Sequence, residues 1–116
     1  MYGRGEKYME RKQRSKIKIT VLKTLYHEDL VNKYLLPEYQ ATYSPCHRHH
    51  EGQEFVIDSF DKPEGFCSWA WADIHRELTS VMFNADFPNF KDQGTMIASC
   101  TDGLRPVVFK IERIES

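Results

Sequence analysis

Two stretches of this chain alternate apolar and polar residues with a period of two, and they limit its fold more than any other feature. In the first, Ile17, Ile19 and Val21 alternate with Lys16, Lys18 and Thr20. In the second, Val107, Phe109 and Ile111 alternate with Val108, Lys110 and Glu112. Successive side chains of a strand point to opposite faces, so this pattern, rich in β-branched residues, predicts half-buried strands over 16–24 and 106–114. Pro106 takes the first position of the later strand, where the missing ladder donor is tolerated.

The segments between them fill in the rest. Residues 53–58 read as another strand, with Phe55 and Ile57 on one face and Val56 on the other. Residues 95–100 form a strand that turns through Asp102-Gly103 into the last one, a hairpin supported by turn-favouring residues. Residues 27–36 predict a helix with Leu30, Val31, Tyr34 and Leu35 on one side, stopped by Pro37. A longer helix is predicted over 67–83, where Trp71, Ile74, Leu78 and Val81 recur at helical spacing with Met82 beside them; Cys67 or Ser68 takes its N-cap. Residues 38–51, 59–66 and 84–93 read as loops. The expected architecture is α+β in the order β-α-β-α-β-β: a four-stranded, largely antiparallel sheet covered by two helices, with barrel-like closure as a variant.

At 116 residues the chain has room for one domain, placed at 16–116. Its apolar runs of three or four residues are too short for a membrane span. The net charge of −1 argues against a surface-wide nucleic-acid or membrane footprint. That charge is unevenly spread: the first 16 residues hold six basic and two acidic residues, so residues 1–15 read as a basic arm. Such an arm is most simply solvated; it could also contact an acidic partner, RNA or DNA, or fold back on the domain's own acidic surface. No apolar stretch there could serve as the core of a signal peptide, which makes the cytoplasm the default location. Open sheet edges would permit a homodimer, although nothing in the sequence selects one.

Chemistry is suggested by three cysteines, Cys46, Cys67 and Cys100, with 20 and 32 residues between them. An odd number without a C-x-x-C pair argues against a disulfide framework. Each falls at the end of an expected element, where groups from distant segments commonly meet. The loop carrying Cys46 also holds His47, His49 and His50. One of these, His49 or His50 above all, could complete a Cys₃His set for zinc, and soft thiolates with an imidazole would also suit iron or copper(I). Without the paired knuckles of structural zinc sites, the plain alternative is thiols packed as small apolar groups beside a solvated histidine loop. Cys67 is the best candidate for a reactive thiol, because a helix start favours thiolate; the plainer reading is a thiol packed and inert under Trp71, since no C-x-x-C or nucleophile signature is present.

Other residues carry less. Trp71 belongs to the apolar stripe, whereas Trp69 falls off it and could line a pocket or contact surface. His75 reads as an ordinary helix histidine and Asp102 as a turn former. Arg105 alone does not define an anion site. No Walker loop, G-x-G-x-x-G, H-E-x-x-H or G-x-S-x-G occurs, so an enzymatic role is left open.

Four segments, Gly52-Gln-Glu-Phe55, Pro63-Glu-Gly-Phe-Cys-Ser-Trp-Ala-Trp71, Asp86-Phe-Pro88 and Cys100-Thr-Asp-Gly-Leu-Arg-Pro106, resemble an uncharacterised family of small bacterial and archaeal proteins. The resemblance spans about residues 16–114 and is most specific at the P-E-G-F-C-x-W-A-W stretch. It implies cysteines recurring near the positions of Cys46, Cys67 and Cys100. This chain's Cys-His-Arg-His-His run is richer in histidine than that pattern. The resemblance supplies no substrate, cofactor or reaction. The leading expectation is a Cys/His site that binds a metal or a thiol-reactive ligand. The alternative is a non-enzymatic interaction or ligand-binding module that uses Trp69 and the aromatic loop from Phe83 to Phe90.

Overall fold

A computed structural model of the protein describes residues 14–115. The elements run β1 (Lys16–Thr24), α1 (Glu28–Tyr34), α2 (Pro37–Gln40), β2 (Glu54–Ile57), α3 (Ser68–Asp73), α4 (His75–Met82), β3 (Thr95–Ser99) and β4 (Val107–Glu115). The four strands form one antiparallel sheet in the order β2-β1-β4-β3, open at both edges and not closed into a barrel. The two strands with the clearest alternation sit at its centre. Ile19 pairs with Ile111 and Val21 with Phe109, so the apolar sets of β1 and β4 share one face. A register shift between Val21 and Lys23 leaves Leu22 outside the pairing.

The buried face packs mainly against α4, which contacts β1, β3 and β4. Ile74, Leu78, Val81 and Met82 are fully buried there against Ile17, Ile19, Phe109 and Ile111. Burying each such side chain contributes about 2–3 kcal/mol relative to exposing it. The opposite face remains wet and carries ion pairs, Lys18 to Glu54 at 3.7 Å and Lys110 to Glu112 at 3.3 Å. Among the described residues, no helix is long and apolar enough to cross a membrane.

Two features fasten α4 to the sheet. Ser15 is buried; its amide donates to the Met82 carbonyl and its hydroxyl to Asn84 Oδ1 at 2.7 Å. From β4, Arg113 Nη1 donates to the carbonyls of Val81 (3.0 Å) and Ala85 (2.8 Å), while Nη2 pairs with Asp86. These contacts satisfy carbonyls that a helix end leaves without partners. Ser15 is thus part of the domain; residues 1–13 of the expected basic arm lie outside the described residues.

The helices differ from the periodicity in two places. The long helix expected over 67–83 is pinched at Ile74 (φ −94°, ψ 5°), in the sparsely populated bridge region, and becomes α3 and α4. Neither glycine nor proline marks that point, and the apolar spacing runs straight through it. Pro37 does end the first helix region but also begins α2, because a proline at the first helical position lacks only a donor that would go unused. Of the residues expected on the inner side of α1, Val31 is buried, whereas Tyr34 is 69% exposed.

Candidate functional site

The three cysteines arrive by separate routes at one open cleft of about 500 Å³, lined also by His47, Arg48, Trp69, Asp73, Asp102 and Arg105. Cys46 comes from the loop after α2 and Cys67 from the N-cap position of α3. Cys100 follows β3, where its amide donates to the Val107 carbonyl and its Sγ accepts from the Val107 amide at 3.3 Å. All three are half-buried free thiols that pack against the core on one side. The thiol of Cys67 makes no capping hydrogen bond.

His49 organises the floor beneath them. It is only 3% exposed and is ringed by Phe55, Phe66 and Phe109, at centroid distances of 5.7, 4.9 and 5.4 Å. The amide of Cys67 donates to its Nε2 at 3.2 Å. That nitrogen therefore carries a lone pair, and the proton of the neutral ring sits on Nδ1, which donates to Gln53 Oε1 at 2.9 Å. Gln53 Oε1 also accepts from the His50 amide. Burial lowers the pKa of His49 below the usual histidine value; the neighbouring charges of Arg48 and His50 lower it further, against the raising effect of the Gln53 hydrogen bond. A neutral histidine thus joins the Cys46 loop to the start of α3.

The opposite wall is held by two carboxylates. Asp73 Oδ2 accepts from the Thr101 amide (2.8 Å) and hydroxyl (3.1 Å), tying α3 to the turn after β3. Asp102 Oδ1 accepts from the amides of Leu104 and Arg105, and its Oδ2 accepts from Arg105 Nε at 3.3 Å. Arg105 lies 4.4 Å from the centre of the Tyr43 ring and donates through Nη1 to the Ser44 carbonyl. A cation over an aromatic face, paired and hydrogen-bonded as well, is fixed in orientation.

The structure brings Cys46, Cys67 and Cys100 to one cleft. Of the expected histidine ligands, His49 has both ring nitrogens engaged, and the exposed His50 is not among the cleft's lining residues; His47 is. Among the described residues, no group of three or more His, Cys, Asp or Glu side chains is arranged to hold a metal ion. Trp69, 81% exposed, stands at the cleft. The aromatic loop is less open: Phe83 is exposed, but Phe87 and Phe90 are half-buried and meet edge-to-face at 6.3 Å. Asp73 and Thr101 escaped sequence reasoning because no local pattern marks a contact between residues 28 apart in the chain, and Arg48 because nothing in its own segment marks it as cleft-lining. No protein-family model matches the chain, and its comparison with curated proteins and with solved structures returns no match.

Proposed function

We propose that the protein binds a small thiol-reactive ligand in this cleft, with Cys46, Cys67 and Cys100 supplying the reactive or contacting thiols. The observation that carries this reading is that three segments remote in sequence each deliver a free, half-buried cysteine to one cleft. Cysteines used only as packing would have no reason to share an opening to solvent. The cleft's volume lies within the range of small-molecule sites. Of the ligand classes open to such a site, a thiol-reactive molecule is favoured over zinc, iron or copper(I), because the donors lack a ligating arrangement and His49 is spent on the scaffold. The P-E-G-F-C-x-W-A-W stretch fits the same reading, since Phe66 packs beneath and Cys67, Trp69 and Ala70 line the cleft. A cytoplasmic location belongs with it, where reducing conditions keep thiols free.

The test is to expose the reduced, folded chain to a neutral reagent, iodoacetamide or hydroxyethyl disulfide, and to map each cysteine by mass spectrometry. Modification of at least one of the three at a rate near that of a free model thiol, with the far-UV circular dichroism unchanged, is the expected result. Thiols that react only after urea unfolds the chain would overturn the proposal.

A further inference from the structure

The hydrogen-bonding groups around the cleft are unequally used. Its acidic side is largely committed: both oxygens of Asp102 and Oδ2 of Asp73 accept bonds from within the protein, and Oδ1 of Asp73 alone accepts none among the described residues. Its guanidinium donors are not. Arg48 is exposed and pairs with no carboxylate among the described residues. Arg105 spends Nε and Nη1 on Asp102 and Ser44, which leaves Nη2 without a hydrogen bond among the described residues. A cleft in which one arginine has no carboxylate partner among the described residues, and a second keeps one guanidinium nitrogen in hand, favours a ligand that brings its own acceptors, and a guanidinium matches a carboxylate in both charge and shape.

We infer that the ligand is a low-molecular-weight disulfide bearing carboxylates, received by Arg48 and Arg105 while a cleft cysteine exchanges with its sulfur. This rests on the proposed thiol site and names its substrate class. Disulfide exchange needs no further oxidant. The protein thiol gives up its proton and, as thiolate, attacks one sulfur of the ligand. A protein–ligand S–S bond forms as the ligand's own S–S bond breaks, and the departing half leaves as a thiolate that takes up a proton. One thiol and one disulfide enter, and one thiol and one mixed disulfide leave. Trp69, exposed at the cleft, offers a flat apolar surface for the ligand's backbone.

The experiment compares oxidised glutathione, which carries carboxylates, with hydroxyethyl disulfide, which is neutral. Mixed-disulfide formation on the reduced full chain is followed by intact mass and peptide mapping. Each rate is divided by that of N-acetylcysteinamide with the same reagent, which removes intrinsic differences between the reagents. The normalised rate for oxidised glutathione should exceed that for hydroxyethyl disulfide by about tenfold or more, the scale of one or two charge-assisted hydrogen bonds. Arg48→Ala, at an exposed position, should abolish most of this preference, read as the ratio of the two normalised rates within the variant. Raised salt should weaken the preference in the wild type. Equal normalised rates, or a preference that survives Arg48→Ala, would overturn the carboxylate assignment while leaving the thiol site standing. Failure of every cleft cysteine to react with either reagent would overturn both.

Discussion

Replacing His49 separates its two contributions to the fold. In His49→Phe the ring volume and the contacts with Phe55, Phe66 and Phe109 are largely kept, but the amide of Cys67 loses its partner and Oε1 of Gln53 loses one of its two. A buried donor left unpaired costs about 1–3 kcal/mol, and Gln53 Oε1 retains the His50 amide, so the expected loss is at the cost of one donor. At about 5 °C per kcal/mol for a domain near this size, the midpoint of a thermal melt should fall by about 5–15 °C alongside the loss read by urea. His49→Ala also opens a cavity among three aromatic rings, for a total of about 3–5 kcal/mol. The pH dependence follows from the lowered pKa. Between the native pKa and the unfolded value of 6.5, the unfolded chain binds more protons than the native one. Stability in that window therefore rises with pH, and is lost as pH falls below about 6.5. His49→Phe should remove this component. The assay is urea unfolding at pH 7.5 and 5.5 for the wild type and the two variants. A His49→Phe protein as stable as the wild type, with the same drop between the two pH values, would refute the role given to the ring nitrogens.

Further predictions concern the walls and anchors. Gly94 has φ +74°, and a Cβ there would lie 2.9 Å from Nη2 of Arg113, itself held by two carbonyls and Asp86; Gly94→Ala should cost about 2 kcal/mol or more by urea unfolding, against about 1 for Gly52→Ala, where φ is +88° but the space is open. Asp73→Ala frees Thr101 from α3 and should cost about 1–2 kcal/mol while speeding alkylation of Cys100, read by mass spectrometry. Protein purified without nickel columns or chelators should carry zinc, iron and copper at well under one equivalent by elemental analysis; a stoichiometric metal would instead recast the cysteines as a coordination shell.

The sheet was legible in the sequence because its central strands must bury one face and wet the other, and period-two alternation records that directly at Ile17, Ile19 and Val21 and again at Val107, Phe109 and Ile111. The hairpin was legible because Asp102 accepts from the amides two and three residues on, a local bond that its residue type announces. The pinch at Ile74 was not, since a one-residue deviation leaves the apolar stripe intact. Tyr34 illustrates the opposite failure: its spacing matched an inner face, but α1 buries only Val31. For the site, the ends of elements were the useful guide, and they marked all three cysteines. Their meeting in one cleft depends on sheet order and loop paths, which spacing does not encode. The role of His49 was hidden for the same reason, because its partner at Cys67 lies eighteen residues away.

The central claim, that Cys46, Cys67 and Cys100 share one cleft, is tested most directly by asking whether they react independently. The reduced chain would be treated with a bulky maleimide at limiting dose, and the molecules carrying none, one, two or three adducts counted by intact mass, with the urea-unfolded chain as reference. If the cleft is shared, the first adduct shields the other thiols, and the folded chain yields far fewer doubly and triply modified molecules than its own rate of first modification would give for independent sites. A folded chain whose adducts follow that independent distribution, as the unfolded chain's should, would contradict the account.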